Sequence, residues 1–195
     1  MKKLSSIMMI AFAVLAFAAC KNKAKDSTGS ADSANVTKDT STNAAATGGI
    51  AVDKDDAKFV TTAANDGMAE VDAGKIAQER ALGTRVKSFA AMMIADHTKA
   101  GDELAAIAKT KNITLPSAPN EDAQKMAADL SKKSHSDFDK AYVNAMVDGH
   151  KKAVKLFEDA IKNLKDPDLK AFATKTLPTL QMHLQEIKSI HDNMK

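Results

Sequence analysis

The 195-residue chain carries 28 basic and 25 acidic residues, a formal charge of +3, with one cysteine, one tyrosine and no tryptophan. That length suggests one domain with extensions. Near-balanced charge without a basic stripe gives no support for nucleic-acid binding, and a single cysteine excludes an intramolecular disulfide, so stability must come from a core.

Lys2 and Lys3 precede the apolar run Ile7–Phe17, and Ala18-Ala19-Cys20 follows. The run is too short for a stable transmembrane helix. It resembles a bacterial lipoprotein signal, in which residues 1–19 are removed and Cys20 carries lipid on its thiol and new amino terminus. The alternative is an ordinary secretory signal that ends near a cysteine. Phe17 stands where lipoprotein signals usually have Leu. Acyl chains contribute about 0.8 kcal/mol per buried CH2, and two or more anchor durably to a membrane. Lys21 replaces the Asp that, in familiar lipoprotein sorting, favours the inner membrane. The resemblance therefore implies an outer-membrane anchor with the domain facing the periplasm or the cell surface. Cleavage removes two of the 28 basic residues and none of the 25 acidic ones, leaving a charge of +1. Residues 20–52 are rich in Ser, Thr, Asn, Asp, Ala and Gly, and are expected to form a disordered linker. A flexible chain of that length has an r.m.s. reach of roughly 30 Å.

Residues 53–194 read as an all-α domain. The first long helix runs from Asp53, an N-cap, to Arg80, and Asp55 and Asp56 suit its positive end. Gly83 and Thr84 are stop and start signals for a second helix reaching Lys111. Pro116 and Pro119 interrupt, a shorter helix covers Glu121–Lys133, and Ser134-His135-Ser136 interrupts again. A third long helix spans Ser136–Leu164, with Ser136 and Asp139 approximating a capping box. Asp166-Pro167 is an N-cap followed by proline at the first helical position, opening a fourth helix to Asn193. Pro178 lies inside it and is expected to kink it near Thr174. Four helices of this length are each about 42 Å long. Tight links within each pair and a long link between pairs give two antiparallel hairpins joined by a crossover, the ferritin-like arrangement of a four-helix bundle. The competing topology is an up-down-up-down bundle with residues 120–164 as one very long helix.

His97 stands where the apolar stripe of the second helix should continue. Glu70, His150 and His183 hold comparable positions on the other three helices. Glu70 and His97 are equidistant from the Gly83-Thr84 turn, and His150 and His183 from Asp166-Pro167. If the crossover makes the second and third helices parallel, all four meet near mid-bundle. Facing side chains in a bundle core are how such folds build metal sites, and imidazoles with a carboxylate suit zinc, copper, iron or nickel. The competing account is a set of partly buried hydrogen-bonding histidines, with Asp96 facing solvent. Met93, Met146 and Met182 lie near these histidines in sequence. They raise a Cu(I) or haem alternative, although Met commonly fills core gaps. His135 and His191 fall outside the set, and Glu186 of His183-x-x-Glu186 is expected to face water. No catalytic triad, phosphate-binding loop or HExxH is present, so nothing here points to an enzyme.

The segments FVTTAANDGMAEVDAGKIAQERA, VKSFAAMMIADHTKAGDELAAIA, FDKAYVNAMVDGHKKAVKLFEDA and LKAFATKTLPTLQMHL resemble a large bacterial family of unknown function. Its members are exported, often lipidated, and described as ferritin-like outer-membrane or periplasmic proteins. The resemblance implies that fold and no established activity. The ferritin di-iron pattern is absent: Glu-x-x-His would need Glu at Ile94 and Leu180. Three expectations follow. The first is an envelope lipoprotein acting as a non-catalytic binding or structural module. The alternative is a transition-metal protein, for storage, sensing or protection, using Glu70, His97, His150 and His183. An enzyme is a third, which requires the second.

Overall fold

The structure, a computed structural model, describes residues 26–38 and 52–194. The signal segment, Cys20 and most of the linker lie outside the described residues. Among the described residues there are six helices and no strands: α1 Ser27–Val36, α2 Lys54–Arg80, α3 Thr84–Thr110, α4 Glu121–Ser131, α5 His135–Asn163 and α6 Pro167–Asp192. None of them is long and apolar enough to cross a membrane.

The four long helices form a bundle of two antiparallel hairpins. Glu70 faces His97 across α2 and α3, and Phe157 faces Phe172 across α5 and α6. The two hairpins lie side by side. α2 runs antiparallel to α5, from Phe59–Phe157 to Leu82–Asp139. α3 runs antiparallel to α6, from Arg85–Glu186 to Glu103–Lys175. α3 and α5 are parallel: Phe89 meets Tyr142, and eight residues on in each helix His97 meets His150. The crossover makes this possible by returning the chain along α2, tied through the Asn120 N–H to Asn65 Oδ1 and through Arg80 to the Lys133 carbonyl. Helical structure breaks between α4 and α5, which excludes one long helix over 120–164. Helix α6 continues unbroken through Pro178, which is exposed.

Each hairpin turn is clamped by an aspartate from the other hairpin. Asp139 accepts the N–H groups of Leu82 and Gly83 (3.1 and 2.8 Å), and Asp56 accepts those of Lys165 and Asp166 (2.9 and 3.0 Å). This corrects two expectations. Ser134, not Ser136, is the N-cap of α5, and Asp139 does not close a local capping box. Turn N–H groups lack partners within their own hairpin, so a carboxylate bridging elements satisfies more donors than a local cap would. Gly83 has φ −68°, so it is not needed for backbone freedom; a Cβ there would stand 3.2 Å from Asp139 Oδ2.

The linker is also corrected in part. Ser27–Val36 is helical and docked rather than disordered. Asp26 caps it, and Asp32 accepts from Thr61 and Lys58 of α2. Asn35, almost fully buried, pairs with both the N–H and the carbonyl of Thr114 in the crossover. Lys38 reaches Asn112 O and Thr114 Oγ1. Composition suggested disorder because this segment has little apolar area; polar tertiary partners hold it instead. Asn112 itself adopts φ 57°, and the Ile113 N–H bonds back to Ala108 O, closing α3 in a left-handed cap.

The core divides into two clusters. One, around Phe59, Leu104, Phe157, Leu169 and Phe172, fills the end near the α5–α6 turn. The other, around Phe89, Met93, Phe138, Tyr142 and Ile187, fills the opposite end. His97, His150, His183 and Glu70 occupy the level between them. Asp139→Ala leaves two turn N–H groups unsatisfied, an expected loss of about 1–3 kcal/mol, at roughly 2–4 °C in Tm per kcal/mol for a domain of this size. Thermal unfolding compared with a Lys125→Ala surface control checks this; equal Tm values for the two variants contradict the clamp.

Candidate metal centre

Each of the four long helices places one buried titratable side chain at mid-bundle, and bundle register brings Glu70, His97, His150 and His183 to one level. Glu70 and His97 are 6% and 8% exposed, and His150 and His183 are fully buried. The three imidazole centroids form a near-equilateral triangle with sides of 5.4, 5.5 and 5.8 Å. One nitrogen from each ring lies within 4.8 Å of the other two. Nitrogens bound tetrahedrally to one ion at 2.0–2.1 Å would be about 3.3 Å apart, so the rings would have to draw together to share one ion.

The outward nitrogens are held. His150 Nδ1 donates to Met146 O at 2.9 Å, which fixes a lone pair on Nε2. His183 Nε2 donates to Asp96 Oδ2 at 2.9 Å, which fixes a lone pair on Nδ1. Glu70 spans the other two rings, with Oε2 3.2 Å from His97 Nδ1 and Oε1 3.4 Å from His150 Nδ1. The remaining nitrogens, His97 Nε2, His150 Nε2 and His183 Nδ1, are buried and without a hydrogen-bond partner. Metal-ligating histidines usually carry this kind of backing, with the far ring nitrogen on a carboxylate or backbone carbonyl.

Burial, reinforced by Asp66, pushes the Glu70 carboxyl up to about 8. Burial, then His150 and His183, press His97 down to about 3. Burial also lowers His150 to about 4, against the opposing pull of the Met146 carbonyl. His97 and His150 are therefore neutral and competent as ligands at neutral pH. His97 has a lone pair on Nε2 when its Nδ1–H donates to Glu70, so its tautomer follows the Glu70 proton. Gly149 gives this carboxyl room: a Cβ there would stand 3.2 Å from Glu70 Oε1.

All four residues singled out in the sequence meet here, and Glu70 takes the position behind the rings rather than beside their free nitrogens. Asp96, solvent-facing in the competing account, orients His183. A carboxylate's direction depends on a rotamer and a neighbouring helix, and adjacency to His97 carried no sign of it. Met146 contributes its carbonyl. Met182 is 49% exposed, so the soft histidine–methionine set is not assembled there. Glu186 pairs with Arg85 on the surface, and His135 is exposed. Tyr142 Oη is buried with no partner, its phenol pushed up by burial and by Glu70. A cleft of about 590 Å³ lined by α2, α3, α5, α6 and the crossover reaches His97, His183 and Glu70 from solvent.

Residues 39–190 match the model of a family described as Domain of unknown function (DUF4142), and the chain belongs to that family. No curated protein matches the sequence. Two similar solved structures are a DUF305 fragment from Deinococcus radiodurans and CopM in the Cu(II)-bound form. The first is 16% identical with a TM-score of 0.62, over 71% of this chain and 96% of its own. The second is 16% identical with a TM-score of 0.61, over 72% of this chain and 97% of its own. At that identity the likeness establishes a shared fold alone.

The buried groups give the metal-free protein a defined pH dependence. Glu70, raised from 4.5 to about 8, contributes stability that is complete below its unfolded value and lost as pH rises through about 8. His97 and His150, lowered from 6.5, contribute stability that is complete above that value and lost as pH falls toward about 3 and about 4. Stability of chelator-treated protein is expected to peak near pH 6.5 and decline on the alkaline side, and Glu70→Gln is expected to abolish that decline. Thermal unfolding from about pH 5 to about pH 9 checks this. Parallel profiles for the two proteins contradict it.

Proposed function

We propose that this member of the DUF4142 family is a non-catalytic metal-binding module, taking one divalent transition ion on His97 Nε2, His150 Nε2 and His183 Nδ1. The observation that carries this reading is the set of three buried, unpartnered imidazole nitrogens whose opposite ring nitrogens all have acceptors. Leaving a buried polar atom unpaired costs about 1–3 kcal/mol, so three at one level are a large fraction of a typical folding stability of about 5–15 kcal/mol. A bound ion would satisfy all three. Glu70 and Asp96 would then serve as carboxylates behind the ligands, fixing tautomers and balancing charge. Imidazole donors without thiolate suit Cu(II) and Zn(II), and Cu(II) binds such sites more tightly than other divalent first-row ions. The Cu(II)-bound form of CopM, on a similar fold, points the same way.

The scaffold in this reading is ferritin-like: paired antiparallel hairpins, a crossover, and ligands projecting inward from facing helices. It lacks the di-iron carboxylates, so storage or buffering of a single ion replaces ferroxidase chemistry. Lipid on Cys20 would hold the module at the outer membrane, placing it where incoming metal arrives.

Calorimetric titration of the full chain with Cu(II) and Zn(II) tests the function. One ion per chain is expected, with Cu(II) the tighter. His150→Ala and His183→Ala should each weaken binding by about 100-fold or more, and Glu70→Gln by roughly 10–100-fold. Saturating metal at about 100 times Kd should stabilise the fold by about 2.7 kcal/mol. Circular dichroism of each variant separates lost ligation from lost folding. Unchanged Tm and no binding heat in the parent protein contradict the reading.

A further inference from the structure

On the metal reading above, we infer that the ion enters and leaves the folded bundle sideways, through a gap that Gly67 and Gly101 hold open, so that the centre exchanges its ion with solvent without the helices parting. The three ring nitrogens without a hydrogen-bond partner are buried. Along the bundle axis the layer that holds them lies between two apolar clusters. The cleft opens at its side, and His97 and His183 both line it.

Four glycines stand inside the long helices, where glycine destabilises a helix relative to alanine. Close packing accounts for two of them. A Cβ at Gly74 would lie 3.0 Å from Ile94 Cγ1 and 3.2 Å from Ala90 O, and one at Gly149 would lie 3.2 Å from Glu70 Oε1. Packing does not account for the other two. A Cβ at Gly101 would meet no atom within 4 Å, and one at Gly67 would meet only His97 Nδ1, in ordinary contact at 3.9 Å. Both of these glycines line the cleft. Gly67 on α2 and Gly101 on α3 are nearly equidistant from the Gly83-Thr84 turn, so they share a level next to His97. What the two positions have in common is free space beside a metal ligand.

The walls suit a hydrated cation. Ala64, Ala100 and Leu180 alternate with Asp66, Asp102 and the Glu103–Lys175 pair, so polar groups accompany the ion inward. A passage of this kind makes the centre a buffer in exchange with its surroundings rather than a trap that releases metal only on unfolding.

Tyr142 supplies the readout. It is the one tyrosine in a chain without tryptophan, and it packs on Phe89, which contacts His150 and His183. Its fluorescence is followed as full-length protein is mixed with Cu(II), and as the loaded protein is mixed with excess EDTA. Gly101→Phe should slow uptake and release alike by about 10-fold or more. Its Kd should stay within about 2-fold of the parent value, because a barrier on the route acts on both rates. Gly67→Ala combined with Gly101→Phe should be slower still. Gly101→Ala should raise Tm yet exchange at the parent rate, as should Asp139→Ala, which loosens the distant α2–α3 turn. Parent-like rates in Gly101→Phe, no further slowing in the double variant, or a Kd that changes because only one rate does would overturn the inference. Rates that follow Tm, slower in Gly101→Ala and faster in Asp139→Ala, would also overturn it, since exchange would then require the bundle to open. Each of these leaves the metal reading standing, whereas failure of the parent protein to bind Cu(II) overturns both.

Discussion

A buried layer of titratable side chains across the middle of the bundle is the constraint on which the rest of this structure depends. Three imidazoles and a carboxyl interrupt the packing of Leu104 and Phe157 on one side and Met93 and Tyr142 on the other. Desolvation works against each polar group, visible in a carboxyl pushed up and two imidazoles pushed down. An apolar residue at any one of these positions would join the two clusters into a continuous core. Three of its ring nitrogens, His97 Nε2, His150 Nε2 and His183 Nδ1, have no hydrogen-bond partner.

The topology exists at the precision this layer requires. Each helix supplies one member, so a register slip of one residue in any of them would rotate its member by about 100°. The aspartate clamps at both turns fix the ends of the hairpins against each other, with Asp139 on one and Asp56 on the other. The crossover sets α3 parallel to α5, which lets His97 and His150 meet at matched steps from Phe89 and Tyr142. Helix α1, through Asn35, and Lys38 just beyond it in turn pin that crossover. The same crossover forms part of the cleft through Leu115 and Pro116, so the docked segment supports the approach to the layer as well as the bundle.

Much of this was legible in the sequence, because helical periodicity and hairpin symmetry are geometric. Equal distances from Gly83-Thr84 and from Asp166-Pro167 paired Glu70 with His97 and His150 with His183, and parallel second and third helices brought the two pairs to one level. What sequence spacing could not supply was the direction of side chains. Glu70 stands behind the rings because Gly149 admits its carboxyl there, and Asp96 turns to His183 across a helix interface. Asp139 looked like a local cap and instead serves a distant turn. Helix α1 escaped notice because its attachment is by polar pairs with Thr61 and Thr114, which leave no apolar stripe to read.

The division of labour proposed between ligands and backing carboxylates can be measured directly. X-ray absorption at the metal edge of the Zn(II)-loaded chain reports the donor atoms around the ion. Three imidazole nitrogens at about 2.0–2.1 Å are expected, together with one exogenous light donor and the same shell in Glu70→Gln. A shell containing fewer than three imidazoles, or one that loses an oxygen when Glu70 is replaced, would contradict the account.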